Sequence, residues 1–171
     1  MILTGSKIKE EVDAGNIVMK PFSADQVNPN SYNYRLGSTL KVFAGFDGEK
    51  SIFTSIKIPE NGYILHPQQM YLGHTFEIIG SNTYAMSLIG RSSLGRLGLF
   101  LQLSANLGHT NSVHRWTLEL FAAKPIRLYP RMIIGQVSFW TNQGDIMPYM
   151  GIYGGFNRPQ SSLYNHKTDL P

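Results

Sequence analysis

Apolar positions along the 171 residues recur at two different periods, and the change of period separates one helix from many strands. Over residues 4–15 the spacing is helical. Ile8 and Val12 fall on one face, Thr4 or Ser6 stands where an N-cap belongs, and Gly15 stands where the helix would end. After Gly15 helical periodicity fades. Short apolar stretches follow at 17–19, 32–36, 40–43, 52–58, 63–65, 71–79, 84–89, 99–103, 116–121, 126–128 and 133–140. They are rich in Ile, Val, Tyr, Phe and Thr and are separated by Gly, Pro, Asn or Asp, as strands of a barrel or sandwich would be. One further turn of helix is predicted over 92–97. The pattern therefore predicts an all-β fold with minor helices, and the absence of repeats or linkers points to a single domain over 1–171.

The last stretch, from about residue 150 to 171, changes character. Glycines, prolines, serines and tyrosines replace the apolar alternation. Two readings stand: a frayed terminus, or a lid that closes over a ligand with Arg158 as its anion contact.

Composition narrows the function classes. Hydrophobic residues at 42% and charged residues at 15% exclude wholesale disorder. No apolar stretch approaches the roughly 20 residues that cross a bilayer, and the first residues lack a signal-peptide run. A soluble, cytoplasmic protein without a membrane partner is the expectation. Cysteine is absent, which excludes disulfides and thiolate-bound zinc. Zinc-dependent nucleobase deaminases need an H-x-E and a P-C-x-x-C segment, so deaminase chemistry here would have to run without that metal. The net charge of +4 comes from 15 scattered lysines and arginines, a distribution that argues against a nucleic-acid groove. A small anionic ligand needs only two or three of them.

Candidate chemistry concentrates in residues 90–121, GRSSLGRLGLFLQLSANLGHTNSVHRWTLELF. A helix start beside Arg91 would gather free N–H groups, the Ser92 and Ser93 hydroxyls and a guanidinium, a combination suited to phosphate or carboxylate. In a helical turn Ser92 and Arg96 share one side. The same residues also read as two helix-capping serines beside a solvated arginine, with Gly98 as the stop. Strand alternation over 116–121 puts Trp116, Leu118 and Leu120 on one face and Thr117, Glu119 and Phe121 on the other. Glu119 then reads either as a base for water in a pocket with Arg96 or as a carboxylate on the wet face of an ordinary strand.

Nearly the whole chain resembles the metal-free deoxycytidine triphosphate deaminases, relatives of the trimeric dUTP pyrophosphatases. The resemblance runs through MILTGSKIKEEVDAGNIVMKPF at the start, NPNSYNYRLG at 28–37, GYILHPQQMYLGHTFE at 62–77, GRSSLGRLGL at 90–99, TLEL at 117–120 and LYPRMIIGQVSF at 128–139. It implies a distorted, dUTPase-like β-barrel (a β-clip) assembling as a homotrimer, with active sites shared between subunits. It also implies hydrolytic deamination of a cytosine nucleotide, dCTP by default, to the uracil nucleotide and ammonia. Under the resemblance Glu119 matches the catalytic glutamate, Ser92 the water-orienting serine and Arg96 the catalytic arginine. Ala105 matches the small residue whose carbonyl also holds the water, and Arg91 and Ser93 match phosphate contacts. No protein-bound metal or other cofactor is implied, and Mg2+ would arrive only on the substrate triphosphate.

The pattern is broken in two places. Where the family runs Ile-Asp-Pro-Gly-aromatic, this chain has Gly108-His109-Thr110-Asn111-Ser112. His109 replaces the aspartate that holds the sugar 3′-hydroxyl and, in the pyrophosphatases, activates water; this argues against dUTP hydrolysis and leaves His109 as a sugar or phosphate contact or a surface histidine. Ser112 replaces the aromatic that packs on deoxyribose, so CTP, CMP, dCMP or a modified cytidine become alternative substrates. The closing segment is a shortened version of the family's phosphate clamp, with Arg158 and Gln160 as its contacts. Asn33 stands where the family has an aspartate. A nucleotide-binding trimer without turnover is the rival of another class, and the presence of Glu119, Ser92 and Arg96 together argues against it.

Overall fold

The structure, a computed structural model, describes residues 1–164. Helix α1 (Gly5–Asp13) begins as its spacing predicts, and Thr4 rather than Ser6 is the cap, its side chain accepting from the Lys7 N–H. Ile8 is fully buried and Val12 packs against the same core. The chain leaves α1 through Gly15 at φ +80°, a left-handed conformation glycine adopts without strain.

From there to Thr141 the regular structure is almost entirely strand. First come β1 (Ile17–Lys20), β2 (Val27–Asn28), β3 (Ser31–Arg35), β4 (Thr39–Phe46), β5 (Ser51–Lys57) and β6 (Tyr63–Leu65). Next are β7 (Met70–His74), β8 (Ile78–Ser81) and β9 (Tyr84–Gly90), then the single turn α2 (Ser92–Gly95). The chain continues through β10 (Leu99–Leu101), β11 (Leu107–Gly108), β12 (Val113–His114), β13 (Thr117–Ala122), β14 (Ile126–Leu128) and β15 (Ile133–Thr141). Two five-stranded sheets dominate, in the orders β10-β13-β7-β4-β5 and β11-β9-β15-β3-β2. Their inward positions form one core, with Tyr34, Leu40, Tyr71, Leu118 and Leu120 from one or other sheet, and Met86, Val137 and Phe139, all fully buried.

The stretch predicted as one strand over 71–79 is two strands in different sheets. The break falls at Thr75–Glu77, where the Thr75 hydroxyl donates to the Glu77 carbonyl at 2.7 Å. Glu77 is fully buried in this corner. Its carboxylate accepts from the Arg35 N–H at 2.9 Å and pairs with Arg35 Nε at 2.6 Å. Alternation cannot show such a corner, because the polar Thr75 and Glu77 read as outward strand positions. Arg35→Met would strand that carboxylate in the interior. We expect a loss of about 3 kcal/mol, seen as a lower urea midpoint at unchanged slope.

Three further expectations are corrected. The strand expected over 99–103 ends at Leu101, because Gln102 turns the backbone to φ +50°. The serines do not cap α2. Its N-cap is Arg91, which makes no side-chain cap bond, and Ser92 and Ser93 lie inside the turn. Gly98 is not the stop either: α2 ends at Gly95 with Arg96 as its C-cap, and Gly98, at φ +93°, closes the turn that follows. No helix among the described residues is long and apolar enough to cross a membrane.

Candidate active site

Strand β13 keeps the alternation its sequence predicts. Leu118 and Leu120 are buried, while Thr117, Glu119 and Phe121 face outward and are half-buried. Antiparallel register puts Glu119 opposite Leu72, and Leu72 opposite Lys41, so the three side chains form a row on one face of the sheet. The Glu119 carboxylate makes no hydrogen bond or ion pair with a described residue. It is a carboxylate with its proton-accepting oxygens unoccupied.

That face is not left open. The closing segment returns across it and is tied down at four points. The Phe156 carbonyl meets His114 Nδ1 at 3.0 Å, and Asn157 Oδ1 accepts from the Arg115 N–H at 3.1 Å. The Gln160 N–H donates to Thr117 Oγ1 at 3.1 Å, and Lys41 Nζ donates to Ser161 Oγ at 2.7 Å. Between segment and sheet lies a cavity of about 520 Å³, lined by Glu119, Ala105, Leu72, Thr117, Tyr153 and Gln160. A carboxylate among mostly apolar walls, in a space of this size, suits a small flat ligand. The segment over 156–161 thus lies against the sheet, and 165–171 lie outside the described residues.

A second cavity, of about 730 Å³, shares Gln160 with the first. Lys41, Lys57, His74, Arg115 and Arg158 line it, and no carboxylate does. Burial, and then the Arg115 charge, push the His74 pKa below the usual histidine value. Its Nδ1–H donates to the Thr75 carbonyl at 2.9 Å, as only the protonated nitrogen can. The cavity is a cationic basin beside the Glu119 cavity.

Other candidate residues fall elsewhere. Ser92 and Ser93 lie exposed on α2, and Arg96 lies exposed at its C-cap. Neither they nor Arg91 make a side-chain hydrogen bond or ion pair among the described residues, and none lines the Glu119 cavity. Leu97, Phe100, Leu103 and Leu107, close to them in the chain, are exposed large apolar residues. His109 lies in a third cavity with Asn142 and stacks on Tyr149, ring centroids 5.2 Å apart and planes 10° apart. Ser112 is buried, its carbonyl hard against Gly80, rather than facing an open sugar pocket within the chain. Asn33 is also buried; its side-chain amide donates to Asn28 Oδ1 at 3.4 Å.

Lys41, Lys57 and Arg115 were not foreseen as ligand contacts. Lys41 and Lys57 stand on β4 and β5 and Arg115 on the link between β12 and β13, so they carry no local motif and only the packing of these elements gathers them. Gln102 was not foreseen either; its side chain bonds to the Glu119 N–H and the Ala105 carbonyl only after a turn.

Residues 2–142 match the family described as dCTP deaminase-like. A relative from Hathewaya histolytica, "dCTP deaminase, dUMP-forming", is 41% identical over 95% of this chain and 96% of its own length. Proteins of the same name from Clostridium botulinum strain Alaska E43 and Cytophaga hutchinsonii are 39% and 41% identical over 95% and 87% of this chain, and over 96% and 87% of their own lengths. In structure the chain resembles the 2′-deoxycytidine 5′-triphosphate deaminase of Agrobacterium tumefaciens, with a TM-score of 0.67 at 21% identity over 82% of this chain. It spans about half of that solved chain, 48%.

The strands thus build the dUTPase-like β fold, and by its relatives the protein is an enzyme of the hydrolytic deaminase class. The chain belongs to the dCTP deaminase-like family.

Proposed function

We propose that the protein hydrolyses the 4-amino group from the cytosine of dCTP, with Glu119 as the proton carrier. The observation that supports this most is the free Glu119 carboxylate at the wall of a covered cavity beside a cationic basin. Water gives a proton to Glu119 as its oxygen bonds to C4, and N3 takes a proton. The new C4 hydroxyl then gives up its proton, by way of Glu119, to the 4-amino group, which leaves as ammonia, and a C4 carbonyl remains. The Ala105 carbonyl holds the water in place, and the Ser92 hydroxyl and Arg96 guanidinium complete the site.

Ser92 and Arg96 come to that site from a neighbouring subunit of a homotrimer. Their exposure without partners, and the exposed Leu97, Phe100, Leu103 and Leu107 near them, support such an interface. The protein itself supplies no metal; any Mg2+ travels on the triphosphate.

The relatives' name makes dUMP the end product, and dCTP to dUMP is the overall conversion proposed here. A second reading, that the reaction stops at dUTP, is favoured by His109, which lies apart from the Glu119 cavity and stacks on Tyr149. Incubation with dCTP, CTP, dCMP and CMP tests both readings when ammonia is assayed and the nucleotide products are separated by anion exchange. Ammonia with dUMP and pyrophosphate supports the first reading, and ammonia with dUTP the second. Absence of ammonia from all four substrates would overturn the deaminase.

The basin makes its own prediction. Arg158→Ala and Lys57→Ala should each raise KM for dCTP by about tenfold and leave KM for deoxycytidine nearly unchanged, since only the phosphates would reach those cations. Equal effects on both substrates would show that the phosphates lie elsewhere.

A further inference from the structure

Gln102 ties two walls of the Glu119 cavity together. It follows the last residue of β10 and takes a left-handed φ of +50°, which is uncommon for a residue other than glycine. Its backbone N–H donates to the Glu119 carbonyl at 3.2 Å. Its side-chain Oε1 accepts from the Glu119 N–H at 2.7 Å. The side-chain amide thus stands in for the main-chain carbonyl that would normally close this rung of the ladder. The main chain is freed to leave the sheet and run out over 103–106.

The other end of the amide reaches that loop. Gln102 Nε2 donates to the Ala105 carbonyl at 3.1 Å. The orientation of the amide is settled by its partners, because the Glu119 N–H can only donate and the Ala105 carbonyl can only accept. One residue beyond Ala105, Asn106 is held on β9: its carbonyl accepts from the Leu88 N–H at 2.9 Å, and its side chain donates to Ser87 Oγ at 3.1 Å. The loop is therefore pinned at both ends. The pin at the sheet end is Gln102.

We infer that Gln102 is a positioning residue for the reaction: through its amide it sets the distance and angle between the Glu119 carboxylate and the Ala105 carbonyl. This rests on the proposed roles of those two groups, which receive the water's proton and hold the water itself. One carbonyl lone pair is engaged by Gln102 and the second stays free for water. A shift of either group misaligns the attack without removing any group that touches substrate.

Two variants test this. Gln102→Met keeps the side-chain length and loses both amide bonds. Gln102→Glu keeps an acceptor for the Glu119 N–H and turns an oxygen against the Ala105 carbonyl. Both should lower kcat with dCTP by about 10- to 100-fold while KM changes by less than about threefold, the mark of lost alignment rather than lost binding. Gln102→His, with an imidazole that can accept at one nitrogen and donate at the other, should recover part of the loss. A Gln102→Met protein with parental kcat, or one whose only defect is a lower melting temperature, would overturn the inference. If that variant fails to fold, Gln102→Glu alone decides it on the same kcat-against-KM reading. Glu119→Gln is run alongside: if that variant is active, the reading of Glu119 itself has failed; if it is inactive while both Gln102 variants are normal, only the role of Gln102 has.

Discussion

Glu119→Gln is expected to reduce ammonia release from dCTP by about a thousandfold or more. An amide of the same shape cannot take a proton from water, and general acid–base catalysis alone is typically worth 10²- to 10⁴-fold. Here one side chain both accepts the water's proton and returns protons to the ring and the leaving group, so the effect belongs at the upper end. Folding should hardly change. The carboxylate has no hydrogen-bond or ion-pair partner among the described residues, and the bonds at this position are made by its backbone N–H and carbonyl. A substitution of that kind usually shifts stability by no more than about 0.5 kcal/mol. Isothermal binding of dCTP to the variant, measured beside the ammonia assay, separates lost chemistry from lost binding. Ammonia release near the parental rate would remove Glu119 from the mechanism.

Mixing two inactive variants should restore activity. If Glu119 of one subunit works with Ser92 and Arg96 of the next, Glu119→Gln and Arg96→Ala homotrimers are each dead. A mixed trimer nevertheless contains sites in which an intact Glu119 meets an intact Arg96. For random assembly in equal amounts, each site draws its glutamate and its arginine independently, so about a quarter of parental activity should return. Co-expression of two differently tagged chains gives that sample, and tandem purification, which removes the homotrimers, should raise the return to about a third, because every mixed trimer keeps one intact site in three. The physical basis is the placement of α2: Ser92 and Arg96 are exposed, unpartnered and outside the cavity that Glu119 lines. Mixed trimers no more active than their parents would mean that each chain builds its site alone, and α2 would need another role.

Much of this was legible before any coordinates. The period of two over 117–122 places Glu119 outward and Leu118 and Leu120 inward, as β13 shows. The helix over α1, the turn at α2 and most strands follow from apolar spacing and from glycines at turns. What failed did so for nameable reasons. Thr75–Glu77 reads as strand because polar residues at alternate positions look solvated. Glu77 is instead a buried carboxylate matched by Arg35, a partner 42 residues away. The serines of α2 have the chemistry of caps, but the turn begins one residue earlier.

The local pattern of side chains settles which residues face the core, because alternation is imposed by backbone geometry and burial rewards it residue by residue. It also names Glu119, Ser92 and Arg96 as chemistry worth testing. Which groups share a cavity is a different matter. Gln160 and Glu119 meet because the closing segment doubles back over β13, and Lys41 and Lys57, on the paired strands β4 and β5, meet Arg115, on the link before β13, because β4 and β13 both pair with β7. Those are contacts of long sequence separation, each weak alone and selected only when the sheets pack. No window of neighbouring residues contains them.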